Sequence, residues 1–435
     1  MTDFSFLENN PNTYKYNLWR RSQGIPATRF EWDNALKADG VPILARRKET
    51  AIDPNIKVEH NLFSQIQEEK SSYIGANIEV TFGADIKEDV IKKYADLERR
   101  CYLKTLLKEL VEDCSGWGNT YLLSFLDYNN RVSLKKIYSW NTYIDEDTGN
   151  GYVTEYQKKK DGTLTDNVKI YEYDNTNCRI YSSTASNIKS ALYQGEFRHG
   201  FGLMPLVEFP NNKNRTGNSE KSVYLLDAYD RLTADNLTEW GSLRQAYLLL
   251  KDMGDIDKAT AKEFKRLAMI IGRNENSDAR FITKNLNPDF ARFITERTWS
   301  SIWSTASIPD PNVLESLSNV TAFQISQLYR RLDNNCNNLI NEWQKSLQQL
   351  DDVLASYWTG LDIDSVQDYD TYQIDYKFNK NIPIDVMTYL KDLKEAGALL
   401  PQREILIKAG YSETEAEDIQ EQYKQENGKE MNNDK

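Results

Sequence analysis

Pro205-Leu-Val-Glu-Phe-Pro-Asn-Asn212, followed closely by Ser222-Val-Tyr-Leu-Leu-Asp-Ala-Tyr-Asp230, is the stretch on which the reading of this chain turns. Two prolines and two asparagines mark its first part as a turn, since proline fixes φ and asparagine side chains bond their own backbone. The second part is helical through Leu243. Val223, Leu226, Tyr229, Leu232 and Leu237 recur near helical spacing, while Asp227, Asp230, Asp235 and Glu239 are spread around the same helix. Acids on every side make it too polar for a core helix, and no residue in it suggests catalysis. It reads as part of a machine.

Downstream, Tyr247–Leu250 suits a strand, Ala259–Ala268 a short helix, and Met269–Ile271 and Arg280–Thr283 two further strands, which together make a small α/β insert. A second helix runs from Pro288 to Ser304, and Pro309 with Pro311 ends it. The loop that follows carries Asp310 and Glu315 as its charges. A long helix then spans Asn319–Thr359, because Leu328, Leu332, Cys336, Leu339, Trp343, Leu347, Leu350, Leu354 and Tyr357 step by threes and fours. Thr371–Phe378 has strand character. Ile382-Pro383 starts a helix over Asp385–Glu395 that Gly397 ends, and the polar tail from Glu426 is expected to be disordered.

Upstream, residues 1–50 are irregular and polar, interrupted by Pro26 and Pro42. Phe63, Ile66 and Tyr73 predict a helix stopped by Gly75, and Ile78–Phe82 alternates as a strand. One amphipathic helix is expected from Lys87 to Ser115, broken by Gly116-Trp-Gly118. From Tyr121 to Arg198 the chain reads as a meandering antiparallel sheet with turns at Asn129-Asn130, Asp147-Thr-Gly149 and Asp161-Gly162. The fold class is α+β.

The chain has 435 residues, enough for several domains. A net charge of −12 argues against tight sequence-independent binding of nucleic acid, which needs a dense basic surface. It does not exclude a conduit, which should not grip what it conveys. An aromatic share of 11% leans toward packed or partner-rich surfaces. Cys101, Cys114, Cys178 and Cys336 form no CxxC pair and are read as reduced, buried thiols. The N-terminus lacks a signal-peptide pattern and no run is apolar enough to span a membrane, so a soluble, cytoplasmic chain is expected.

No phosphate-binding glycine loop, HExxH, GxSxG or metal-ligand cluster is present, and His60 and His199 are the only histidines. Asp145-Glu-Asp147 and Asp362-Ile-Asp364 offer paired carboxylates for a divalent ion or glycoside hydrolysis, but suit solvated loops better. His199 could act as a base and is better read as a loop or core residue. Trp299 and Trp303, at i and i+4, fit packing more readily than stacking on bases or sugars. Arg330-Arg331 is expected to pair with Asp333 and Glu342 across helices rather than touch phosphate. Asn334, Asn335, Asn337, Asn338 and Asn341 imply a neutral, hydrated helix face.

This order of elements resembles the portal proteins of tailed bacteriophages, specifically those of long-tailed phages of Gram-positive hosts. The resemblance is carried by Gly202-Leu-Met-Pro-Leu-Val-Glu-Phe209, Asn211-Asn212, Leu225-Leu-Asp-Ala-Tyr-Asp230 and Ala234-Asp235. Weaker matches are Asn61, Ile66, Lys70, Tyr73 and Gly75; Gly116-Trp-Gly-Asn-Thr-Tyr121; and Ile382-Pro383-Ile-Asp385. Leu317-Ser-Asn-Val-Thr-Ala-Phe323 departs from the family by lacking its glycines.

The resemblance implies a non-enzymatic ring of about twelve copies at one capsid vertex, through which double-stranded viral DNA enters and leaves. It implies residues 1–218 and 362–381 as wing, 219–245 and 288–305 as two stem helices, and 246–287 as clip. Residues 306–318 become the tunnel loop, 319–361 a long tunnel-side helix, and 382–435 the crown and tail. Asp310, Asn312, Glu315, Ser316, Ser318, Asn319, Arg297 and Arg330 are then expected to line the DNA channel. Tyr229, Leu232, Glu239, Trp299 and Trp303 would meet neighbouring copies, and Lys262, Arg266 and Arg273 an adaptor or the terminase. Implied partners are the chain itself, the large terminase that hydrolyses ATP, a head-tail adaptor, and major capsid and scaffolding proteins. No cofactor, metal or membrane is implied, and the site of action is the virion, assembled in the host cytoplasm. Two other readings stay open: a different oligomeric head-tail connector, and a monomeric carbohydrate-acting enzyme or binding protein built on the 120–200 sheet.

Overall fold

A computed structural model describes residues 55–58, 60–74, 78–84, 86–158, 164–184, 190–242, 247–251, 278–282, 287–316, 322–360 and 374–381, with Leu7 and Ile419 as isolated positions. The expectations for 1–50, Gly75, Asp161-Gly162, 259–271, Asp362-Ile-Asp364, 382–397 and the tail lie outside the described residues.

Helix α1 (Leu62–Ile74) leads to strand β1 (Ile78–Phe82). The expected single helix is in fact two, α2 (Glu88–Cys101) and α3 (Leu103–Trp117). The break has a cause in the apolar register. Val90, Tyr94 and Leu97 form one buried stripe, and Leu103, Leu107, Leu110 and Cys114 form another that is one residue out of phase with it. Tyr102, at φ 50° and ψ 51°, absorbs the mismatch in the left-handed region.

The expected meander divides into two antiparallel sheets. β2 (Asn119–Leu126) lies between β3 (Val132–Ile137) and β9 (Leu206–Pro210). β4 (Thr142–Ile144), β5 (Gly151–Lys158), β6 (Leu164–Tyr173), β7 (Asn177–Thr184) and β8 (Leu192–Arg198) form a five-stranded meander in chain order. Pro205–Asn212 is therefore mostly strand rather than turn. Pro210 is tolerated because β9 is an edge strand and Pro210 is its last residue, paired with Asn119.

Helix α4 (Asn218–Ser242) and helix α5 (Pro288–Ala306) pack against each other, joined by a segment whose described part is the antiparallel pair β10 (Tyr247–Lys251) and β11 (Asp278–Ile282). The two helices run antiparallel: Ser222 bonds the carbonyl of Ile302, and Asn236 bonds Thr295 nearer the other end. α5 stops at Ser307, at φ 61°, before the prolines are reached. The loop expected over 306–318 contains a short helix, α6 (Pro311–Ser316), with Pro311 in its first position where a missing N–H costs nothing.

Helix α7 (Ala322–Gly360) has 39 residues and is about 58 Å long. Its stripe Leu332, Cys336, Leu339, Trp343, Leu347, Leu350 and Leu354 is buried and forms the spine of the largest core, with α1, α2, α3, β2 and β9 around it. Trp343 meets Phe209 edge-to-face at 5.0 Å and donates its indole N–H to the Pro210 carbonyl. β12 (Ile374–Phe378) returns to pair antiparallel with β1, joining two parts of the chain some three hundred residues apart in order-of-magnitude terms. The architecture is mixed helix and antiparallel sheet.

Candidate functional site

Among the described residues a polar junction assembles at the root of the α4/α5 pair. Its centre is Lys70, which occupies the position after Leu62 and Ile66 in the buried stripe of α1 and is 0% exposed. Its Nζ donates to Asn211 Oδ1 at 2.6 Å, to Asn218 Oδ1 at 3.1 Å, and to Asn335 Oδ1 on α7. The amide orientations are fixed by what their NH2 groups do: Asn211 Nδ2 donates to the Thr216 carbonyl and Asn218 Nδ2 to the Ala306 carbonyl, each at 2.7 Å.

None of these bonds involves a carboxylate. Burial lowers the Lys70 pKa to about 8, with the Lys221 charge adding to the effect. The nearby thiols supply no counter-charge, because burial pushes Cys336 up to about 11 and Cys114 well above its ordinary value. Three neutral amides thus hold a buried ammonium by ion–dipole bonds.

The asparagine pair also builds the loop that brings two of those amides together. Asn212 Oδ1 accepts from the backbone N–H groups of Asn214 and Thr216, and Asn212 Nδ2 donates to the Thr216 carbonyl. That loop lies on the end of α3: Asn211 N–H bonds the Gly118 carbonyl at 2.8 Å. A Cβ on Gly118, at φ 92°, would stand 2.1 Å from the Arg215 carbonyl oxygen, so glycine is required there. At the start of α4, Glu220 reaches back to the Gly217 N–H at 2.9 Å.

The first turns of α4 are buried, which corrects the expectation that this helix is too polar for a core. Asn218, Ser219 and Ser222 are wholly buried, and each bonds a carbonyl of another helix: Ala306, Phe63 and Ile302 in turn. Further along, Asp230 holds His60 by both its backbone N–H and its ring, and the ring packs edge-on against Tyr229 at 4.9 Å. Beside the cage, Tyr73 donates to Asp333, which pairs with Lys380 at 2.6 Å.

Within one chain Arg330 and Arg331 pair with neither Asp333 nor Glu342. Asp333 is taken by Lys380 and Glu342 pairs with Lys345, while Arg331 bonds Ser304 and Arg330 is exposed. Of the five side chains expected to meet neighbouring copies, Trp303 is corrected outright, being buried in its own chain's core. Tyr229 and Trp299 are half-buried against each other at 5.5 Å, and Leu232 and Glu239 are half-buried. Asp310 caps α6 through the Asn312 N–H and accepts the Trp299 indole N–H at 2.8 Å. Asn312 and Arg297 are exposed; Ser318, Asn319, Lys262, Arg266 and Arg273, and the side chains of Glu315 and Ser316, lie outside the described residues.

His199 is a core residue: its Nε2 meets the Asp174 carbonyl at 2.9 Å, and burial lowers its pKa. Asp145 closes its own turn through the Asp147 N–H and the Thr148 hydroxyl. Among the described residues no three potential metal ligands cluster, and no helix is long and apolar enough to cross a membrane. Lys70 was visible in the sequence only as a matching position; a lysine in an apolar stripe was the physical signal that went unread.

The family model for phage portal proteins of the SPP1 Gp6-like type matches residues 28–429. The chain belongs to that family. A curated relative, a portal protein of Clostridium phage phiCD119, is 20% identical over 384 residues, covering 83% of each chain. Among solved structures, similarity extends to a chain of the neck of an empty GTA particle computed with C6 symmetry, with TM-score 0.43, 14% identity, and 81% and 89% of the two chains covered. A chain from the virion of a native gene transfer agent particle matches with TM-score 0.40, 14% identity, and coverage of 80% and 89%. As a member of a structural family, the chain is a portal or connector component of the capsid vertex.

Proposed function

We propose that copies of this chain close into a ring of about twelve that conducts double-stranded DNA during packaging and ejection. The observation that carries the reading, given the family, is the exposed aromatic area on the α4/α5 pair. Tyr224 is 67% exposed, Trp240 54%, and Phe290 and Phe293 62% each, with Leu237 beside them in exposure. Large aromatics on two adjacent helices of an acidic chain are suited to burial against another copy, where aromatic anchors contribute most. In such a ring α4 and α5 act as stem helices, 246–287 as clip, and 306–318, including α6, as tunnel segment. Residues 319–361 then serve as the long tunnel-side helix, 1–218 with 362–381 as wing, and 382–435 as crown.

Half-buried and exposed groups from the list of channel residues, Asp310, Asn312, Arg297 and Arg330, mix one carboxylate with an amide and two cations. That balance favours brief phosphate contacts over a firm grip. A terminase motor and a head-tail adaptor dock at the clip end, and assembly takes place in the host cytoplasm. The test is the mass and shape of the purified chain. Light scattering should give several hundred kilodaltons, near twelve times the 50.5 kDa chain, and negative stain an annulus. A 50.5 kDa monomer under all conditions would sink the reading and revive the single-cleft alternative.

A further inference from the structure

The asparagines of α7 divide by task. Asn335 and Asn337 accept from the ammonium groups of Lys70 and Lys380, whereas Asn334, Asn338 and Asn341 are exposed. With Arg330, Arg331 and Lys345 these three lie within about 100° of arc on a straight helix, along about 22 Å of its axis. Every exposed side chain of α7 from Gln324 to Gln349 is an amide, a serine or a cation, although acids make up 66 of the chain's 435 residues. The two acids of that stretch, Asp333 and Glu342, are half-buried and pair with Lys380 at 2.6 Å and Lys345 at 3.5 Å. We propose that this face of α7 is a track for double-stranded DNA, in which Arg330, Arg331 and Lys345 meet phosphates and the exposed amides hydrogen-bond the backbone between them.

Three observations select that partner. First, the cations are available. Arg330 and Arg331 pair with no carboxylate among the described residues, Arg331 giving one N–H to Ser304 Oγ at 2.9 Å, and Lys345 is 76% exposed, where water screens its pairing with Glu342. Second, side-chain amides donate to phosphate oxygens without adding fixed charge. A few cations among many amides make contacts that form and break readily, as a moving polyanion requires. Third, the face presents no exposed apolar side chain, whereas contact between proteins is anchored by aromatic and aliphatic groups of the kind exposed on the α4/α5 pair. It lacks what a protein partner would bury.

The choice of DNA rests on the portal reading, yet the two fail separately: particle mass tests the ring, and a binding titration tests the face. Fluorescence anisotropy of a labelled duplex of arbitrary sequence should be followed as the full-length chain is added, between about 50 and 200 mM salt. Arg330→Gln with Arg331→Gln and Lys345→Gln should weaken binding by about tenfold or more at the lower salt. The slope of log K against log salt should shrink by about one for each cation removed. Asn334→Asp with Asn338→Asp should weaken binding comparably with every cation in place. As a control, Lys92→Gln with Arg99→Gln and Lys104→Gln removes equal charge from exposed positions on α2 and α3, and should leave binding unchanged. No binding by the wild type at the lower salt, equal binding by wild type and the face variants, or equal loss in the control overturns the proposal. Loss of annular particles in the Arg330, Arg331 and Lys345 variant, with circular dichroism unchanged, would assign the face to contact between copies and overturn it as well.

Discussion

The root and the shaft of the α4/α5 pair divide their polarity in opposite senses. At the root Lys70, Asn218, Ser219 and Ser222 are wholly buried, while along the shaft Tyr224, Trp240, Phe290 and Phe293 face outward. Transfer free energies taken alone would place these residues the other way round. The inversion shows that burial serves two purposes in this molecule. At the root it supports directional bonds that fix where the helices point, and each of those bonds has a named acceptor. On the shaft the apolar area remains uncovered in a single chain, which is economical only when a second surface covers it.

The largest test of this contrast is Lys70→Met, which leaves the amide oxygens of Asn211, Asn218 and Asn335 without their shared donor. Stability should fall by about 3 kcal/mol or more, read from the urea midpoint at constant slope. A midpoint equal to that of the wild type would show that the cage is mere filling. Next in size, Trp240→Ser together with Phe290→Ser should scarcely alter the fold of one chain. Each removed aromatic should weaken association by about 2 kcal/mol, seen as loss of annular particles at micromolar concentration. If the annuli persist unchanged, the shaft is not the covered surface.

Much of the fold was legible because apolar periodicity survives wherever a helix has one buried stripe. The spine of α7 from Leu332 to Leu354 is the plainest case, and the alternation in Ile78–Phe82 another. The break at Tyr102 was legible in principle as a one-residue slip of the stripe, but spacing at threes and fours conceals a slip of one. The strand through Pro210 was missed because two prolines resemble a turn until the partner strand shows that β9 is an edge. The cage was half-legible. Lys70, Asn211 and Asn335 each stood out separately, yet nothing in one sequence says that residues so far apart share one ammonium. The outward aromatics of the shaft were illegible for the converse reason: Tyr224 and Phe290 look like core residues, and exposure is a property of the fold.

A third prediction asks whether a buried charge elsewhere on α7 behaves as the root does. Asp351 accepts the hydroxyls of Tyr94 and Tyr376, the latter at 2.8 Å, and burial pushes its pKa up to about 7. Because the folded chain holds this proton more tightly than the unfolded one, the associated stability is complete below pH ~4 and is lost as pH rises to about 7. Asp351→Asn, which keeps an acceptor and cannot ionise, should therefore lose less stability than the wild type over that interval, by about 4 kcal/mol. Above pH ~7 the two melting curves should run parallel. Parallel curves over the whole range would mean that Asp351 stays ionised, and that α7 tolerates a buried anion as the root tolerates a buried cation.

The smallest effect separates capping from channel charge at Asp310, which lies just beyond the root. Its carboxylate serves both the Asn312 N–H and the Trp299 indole. Asp310→Ala should cost about 1 kcal/mol, the usual worth of an N-cap. Asp310→Asn keeps an equivalent cap while removing the charge, so its melting temperature should match the wild type closely. Reversal to lysine changes both properties at once and so cannot apportion them. If Asp310→Asn slows DNA packaging at unchanged stability, the charge itself acts on the passing polyanion. If only Asp310→Ala and the lysine variant do so, the residue acts by holding α6 against Trp299, and the electrostatic part of the channel must lie in other residues.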